Sequence, residues 1–269
     1  MTISKSVRVM TMAAVAVVAT AQQLTNDQRE AFLKTAEIVK MKNLSQGVTL
    51  SKKASLADGM MQHDAHVQTV DEYKARFEGT TGSEINFRDS YKYNVAAYRI
   101  ATLLNLDIMP PSVERKVEGK TAAITWWVDN AAMTELQRRK TKQEAPDSNA
   151  WNKQLVVMNV FDELIYNVDR NLGNMVITSD WNLWLIDHTR AFRWHKTCPK
   201  LNNLKQIDRN LLANLKKLTR EMLQQHVGQY LMAPEIEGVL ARRDAIVKHF
   251  EQKLTESGEA KVLYELAQR

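Results

Sequence analysis

The chain has 269 residues, 44% of them hydrophobic, and a formal net charge of +6. That length and apolar content can bury a good core, and one two-lobed unit fits it as well as two small domains. A single cysteine, Cys198, excludes an internal disulfide, a zinc ribbon and a two-cysteine redox motif, while basic residues scattered in short clusters such as Lys52-Lys53 and Arg138-Arg139-Lys140 form no aromatic-interleaved stripe of a nucleic-acid binder.

Met1 to Ala21 has the order of a secretory signal peptide: Lys5 and Arg8, the apolar run Val9 to Ala19, then the small residues Ala19 and Ala21. The run is too short for a comfortable membrane span. The expectation is an exported chain, periplasmic or secreted, with no transmembrane segment after processing. If the segment is instead a buried helix, the chain is cytoplasmic.

Thr25-Asn26-Asp27-Gln28 is a capping box, and Phe32, Leu33, Ala36 and Val39 recur at helical spacing behind it. Leu44 to Leu50 and Lys53 to Leu56 then read as hairpin strands, with Asp58-Gly59 a turn before the strand-like His63 to Val70. Asn86 to Leu104 carries Tyr91, Val95, Tyr98, Ala101 and Leu104 at spacings near three and four and predicts a helix. Beyond Pro110-Pro111, Ser112 to Val117 and Thr121 to Val128 flank Glu118-Gly119 as a hairpin, with Trp126 or Trp127 packing in the sheet. Lys140 to Ser148, polar and containing Pro146, is the expected linker.

Asp147 or Ser148 can cap a helix carrying Trp151, Leu155, Met158, Phe161 and Ile165. That helix delivers Tyr166-Asn167-Val168-Asp169-Arg170-Asn171-Leu172-Gly173-Asn174, a polar stretch bounded by apolar runs. Met175 to Thr178, Ser179-Asp180 and Trp181 to Ile186 read as a tight hairpin whose ends return side by side. Asn174 and Asp187 would then meet at its open end. Two oxygen ligands there, completed by substrate phosphates, suit magnesium. Asp169 would sit beside the ion as base or as orienter of an attacking hydroxyl. Leu201 to Leu218, Thr219 to Leu231 and Pro234 to Leu254 each predict a helix.

Asp169 and Asn174 keep the D-x-x-x-x-N spacing of the protein-kinase catalytic loop. Asp169-Arg170-Asn171-x-Gly173-Asn174 followed by Ile186-Asp187-His188 resembles the D-R-x-x-G-N and I-D pair of the atypical kinases, which include phosphoinositide kinases, HipA-type kinases and secretory-pathway kinases. The resemblance implies an α+β, two-lobed protein-kinase-like fold: a signal peptide over 1–21, a β-rich small lobe with a leading helix over 22–128, and a helical lobe over 129–269. It implies a phosphotransferase using ATP and Mg, with Asp169 catalytic and Asn174 and Asp187 on the metal. Gly47 would lie in the hairpin over the phosphates, Lys53 is a candidate phosphate contact beside Lys52 and Lys74, and Arg190 or Arg193 could meet phosphate charge.

Two departures from the family pattern stand out. The phosphate-pairing lysine falls on Gln68, and the glutamate that braces it falls on Asn94, with Asp89 and Glu84 as nearby substitutes. Losing both is self-consistent, since either charge alone would be uncompensated. The implied partners are a nucleotide and an acceptor that is a protein, lipid or small molecule, with no nucleic acid. The alternative reading is an exported pseudokinase acting as a binding or scaffolding protein.

Overall fold

The computed structural model describes residues 24–44, 51–79, 82–167 and 170–267. The expected signal segment 1–21, Gly47 and Asp169 lie outside those residues.

Helix α1 (Asn26–Thr35) opens on the expected capping box: Gln28 N donates to Thr25 Oγ1 and Thr25 N to Gln28 Oε1, at 3.3 and 2.8 Å. It stops before Val39, although the spacing of Phe32, Ala36 and Val39 predicts a longer helix. The β-branched pair Ile38-Val39 instead lies on strand β1 (Glu37–Asn43), with Val39 exposed.

Strands β2 (Lys52–Ala57) and β3 (Gln62–Gln68) follow. Next comes an arm made of β4 (Asp71–Gly79) and β5 (Gly82–Ser90), and only then helix α2 (Lys92–Leu103). The expected helix start at Asn86 is therefore corrected. Asn86 to Ser90 pairs with β4, the Phe77 and Phe87 rings stack at 4.3 Å, and Ile85 points to solvent, a two-residue alternation rather than a helical one.

Strands β6 (Ser112–Val117) and β7 (Lys120–Trp126) are joined at Glu118-Gly119, both with positive φ, as a tight primed turn requires. They complete an antiparallel sheet ordered β1-β2-β3-β7-β6. One face of this sheet presents Ala54, Leu56, Ala65, Val67, Val113, Ile124 and Trp126 to Phe32 and Leu33 of α1. Strand alternation sends Lys53, Ser55, Asp64, His66, Gln68 and Thr125 to the opposite face.

Trp127 to Asn130 links this sheet to β8 (Ala131–Thr134) and α3 (Glu135–Thr141). Helix α3 covers the start of the expected linker, because Thr134 and Gln137 form a second capping box. Helix α4 (Ser148–Ile165) is capped by Asp147, whose carboxylate accepts from Asn149 N and Ala150 N at 2.9 and 3.0 Å. A 3-10 turn (Leu172–Asn174) leads into β9 (Met175–Thr178), which pairs with β10 (Leu183–Leu185) as the expected hairpin and with β8 on its other side.

The remainder comprises a short strand β11 (Ile207–Asp208), helices α5 (Arg209–Lys217), α6 (Arg220–Val227), α7 (Ala233–Ser257) and α8 (Glu259–Val262), and β12 (Leu263–Tyr264), parallel to β11. The helix expected from Leu201 begins at Arg209, where the Asp208 carboxylate accepts from Leu211 N at 2.9 Å. The larger core joins α2, α4, β9, β10 and α5 to α7. Helix α2 thus belongs to the packing of both halves. Among the described residues no helix is long and apolar enough to cross a membrane.

Candidate active site

The site forms where α4 ends. Asp162, in the last turn of that helix, is buried and takes hydrogen bonds from Asn167 Nδ2 at 2.9 Å and from Arg170 Nε and Nη2 at 3.0 and 2.5 Å. Arg170 then reaches across the hairpin, donating to the Ile186 carbonyl at 3.2 Å and placing Nη2 at 2.9 Å from His188 Nε2. A guanidinium only donates, so Nε2 accepts and the imidazole proton sits on Nδ1. Burial first, and Arg170 beside it, push the His188 imidazole well below its ordinary range, so it is neutral.

At the open end of the hairpin, Ile186 N donates to the Asn174 carbonyl at 3.1 Å. The next residue, Asp187, has φ 54°, a left-handed conformation that aspartate tolerates better than most residues. Its Oδ2 lies 3.4 Å from Asn174 Nδ2, and its Oδ1 accepts from Thr189 Oγ1 at 3.2 Å. Among the described residues Asp187 has no ion-pair partner. A carboxylate and an amide side by side, with the acid left uncompensated, fit a hard divalent cation. No group of three or more acidic, histidine or cysteine ligands occurs among the described residues. The pair therefore needs further oxygen donors, which the phosphates of a substrate would provide.

The sheet face opposite α1 forms the roof. Gln68, fully buried, accepts from Asn94 Nδ2 at 2.7 Å, so the two positions where the resemblance expects an ion pair carry a neutral hydrogen bond. Asn94 Oδ1 in turn accepts from His188 N at 2.7 Å. His66, also on this face, is held below the usual imidazole range by burial, against the opposing pull of the Asp187 carboxylate. Lys53 is occupied at the linker end of the sheet. It pairs with Asp64 at 2.7 Å and lies 4.2 Å from the centre of the Trp127 ring. Lys53 and the Ser55 hydroxyl hold the Asp64 carboxyl below its ordinary range. Beside them a groove of about 500 Å³ is lined by His63, Asp64, Trp127, Val128 and Asp129.

The structure thus brings Asn174 and Asp187 together, while Lys53 is engaged elsewhere. Arg190 is drawn to the β4–β5 arm, 3.3 Å from Asp89 and over Phe87, and Arg193 pairs with Glu84 and donates to the Arg88 carbonyl. Asp89 and Glu84, the suggested substitutes for the bracing glutamate, are therefore committed to the arm. Sequence reasoning missed Asp162, His66 and the bridging role of Asn94. For Asp162 a signal existed: an acid within the apolar positions of α4, two turns before the arginine that neutralises it.

No protein-family model matches the chain, and neither does any curated protein. Among solved structures, that of hydra Fam20 with sugar is similar with a TM-score of 0.66 at 14% identity, covering 94% of this chain and 96% of that one. The Golgi casein kinase is similar with a TM-score of 0.62 at 12% identity, covering 90% of this chain and 79% of that one. The chain has a kinase-like α+β fold, with an antiparallel sheet in its N-terminal region and a helical C-terminal region.

Proposed function

We propose that this protein is a magnesium-dependent phosphotransferase that moves the γ-phosphoryl group of ATP to an acceptor hydroxyl. The observation that carries this reading is the convergence of Asn174 and Asp187, with no cation on Asp187 among the described residues. These two side chains would hold the metal. When bound, magnesium would neutralise phosphate charge as it spreads over the transferring group.

The other residues position and take up a proton. The nucleotide base would rest on the linker at Trp127 to Asn130, beside the groove already described. Asp169, by its place in the motif, would orient the acceptor hydroxyl and accept its proton as oxygen bonds to the γ-phosphorus and ADP departs. Arg170 cannot be that base, since it spans Asp162, Ile186 and His188 and fixes the loop on either side of the chemistry. Gly47 would cover the phosphates. Lys53 would have to exchange Asp64 for phosphate, and Arg190 would have to leave Asp89.

One similar structure holds a sugar and the other is named for casein, so a sugar hydroxyl and a protein hydroxyl are the first acceptors to offer. The order of residues in 1–21 supports export, where such acceptors would be met. The neutral Gln68–Asn94 pair favours a second reading, an exported pseudokinase that binds or scaffolds a partner.

Incubation with γ-labelled ATP, magnesium and panels of sugars and protein substrates separates the two. Label on an acceptor with wild type and none with Asp187→Ala supports transfer. Partner binding indifferent to nucleotide, with no transfer, supports the scaffold.

A further inference from the structure

Asn94 bonds through its side chain to Gln68 and to His188, and so lies between the roof of the cleft and the residue that follows Asp187. Its orientation is fixed by chemistry rather than by choice of amide rotamer. A backbone N–H can only donate, so the atom facing His188 N at 2.7 Å is oxygen, and the amide nitrogen must face Gln68 Oε1, also at 2.7 Å. All three residues are buried, and none of the linked groups carries charge.

The line continues below. His188 Nε2 meets Arg170, which is anchored on Asp162 of α4. Hydrogen bonds therefore run unbroken from β3 through α2 and the Asp187 loop to α4. Helix α2 is itself held by both halves: Tyr98 donates to Glu30 of α1 at 2.9 Å, Tyr93 bonds Glu235 of α7, and Asn214 of α5 donates to the Leu104 carbonyl at 2.9 Å. A helix pinned at three places makes a fixed anchor for the loop.

We infer that Asn94 is a positioning residue that keeps the Asp187 loop assembled in the absence of nucleotide, through neutral hydrogen bonds to Gln68 and His188 where a lysine–glutamate pair would respond to charge. Its value for phosphoryl transfer rests on the function proposed above, but the brace itself is a property of the free protein. A charged pair can be broken by phosphate competing for the lysine. Two amides and a backbone N–H offer no such competition, so the loop needs neither ligand nor modification to form.

The test is site-resolved amide hydrogen exchange on the full chain without nucleotide, in wild type, Asn94→Ala and Gln68→Met. The His188 amide is expected to exchange at least about tenfold faster in Asn94→Ala, the scale of one lost buried hydrogen bond, while amides of α4 and α7 keep their rates. Gln68→Met, which removes the upper bond and leaves the His188 N–H bonded to Asn94 Oδ1, is expected to give a smaller acceleration at the same amide. It also serves should Asn94→Ala not fold. An unchanged His188 rate in a folded variant overturns the brace, and so does acceleration spread evenly over the protein. In parallel, the magnesium concentration for half-maximal ATP binding is expected to rise in Asn94→Ala more than ATP affinity at saturating magnesium falls. A wild type that binds no Mg-ATP would end the phosphotransferase reading, and the exchange rates would still decide the role of Asn94.

Discussion

Arg170 grips Asp162 through two nitrogens, at 3.0 and 2.5 Å, with both side chains about nine-tenths buried. This pair ties the end of α4 to the Ile186 carbonyl and to His188, so it holds the motif loop and the Asp187 loop in one register. Removing one partner strands the other charge. Asp162→Ala is expected to destabilise the protein by about 3 kcal/mol or more in denaturant unfolding. Arg170→Lys keeps the charge without the fork and is expected to lower metal-dependent nucleotide binding more than stability.

Gln68 is fully buried against the Asn94 amide, so Gln68→Lys would place an ammonium against a neutral side chain at the position of the present hydrogen bond. A loss of several kcal/mol is expected, on the order of 3. Adding Asn94→Asp should recover much of it, because the pair is then charged on both sides. A double-mutant cycle on unfolding midpoints checks this, with an expected coupling of about 1–3 kcal/mol in favour of the pair. Simple additivity would mean that the two side chains do not interact.

Glu235 is buried against Tyr93 and Met232 N, and burial raises its carboxyl above the ordinary value of 4.5. The folded state therefore holds a proton that the unfolded chain releases near that value. Stability from this group is full below it and is lost as pH rises through the folded pKa. Glu163 is raised by burial too and contributes with the same sign. Glu235→Gln keeps both hydrogen bonds feasible and is expected to flatten the fall in stability just above the ordinary carboxylate range. Unfolding free energies across that range in the two proteins give the comparison.

Cys198 is partly covered, and burial followed by the nearby Glu163 pushes its thiol up to about 12. At neutral pH it should be almost wholly protonated and poor as a nucleophile. Thiol reagents are expected to label it slowly in the native protein and rapidly after unfolding. Rapid native labelling would show that the segment around it opens.

Local chemistry made much of this fold readable. The Thr25 capping box, the Glu118-Gly119 turn, the Asp147 cap and the hairpin from Met175 to Leu185 each depend on neighbours in sequence, and the structure contains them all. The meeting of Asn174 with Asp187 follows from that hairpin alone. Where tertiary contacts decide, the reading failed. The spacing of residues Asn86 to Ser90 predicts the first turn of α2, but the ion pair from Arg190 to Asp89 and the packing of Arg190 and Arg193 over the Phe87 ring, both arginines being distant in sequence, hold them in an arm. Val39 kept a helical spacing that a strand overrode. The Asn94 to His188 bond joins residues 94 apart, and no periodicity could announce it.

Calorimetric titration of ATP into wild type and Asp187→Ala, each with and without magnesium, tests the phosphotransferase account most directly. Binding that requires magnesium and disappears in a folded Asp187→Ala protein is the expected result. Binding that ignores the metal, or survives that substitution unchanged, would contradict it.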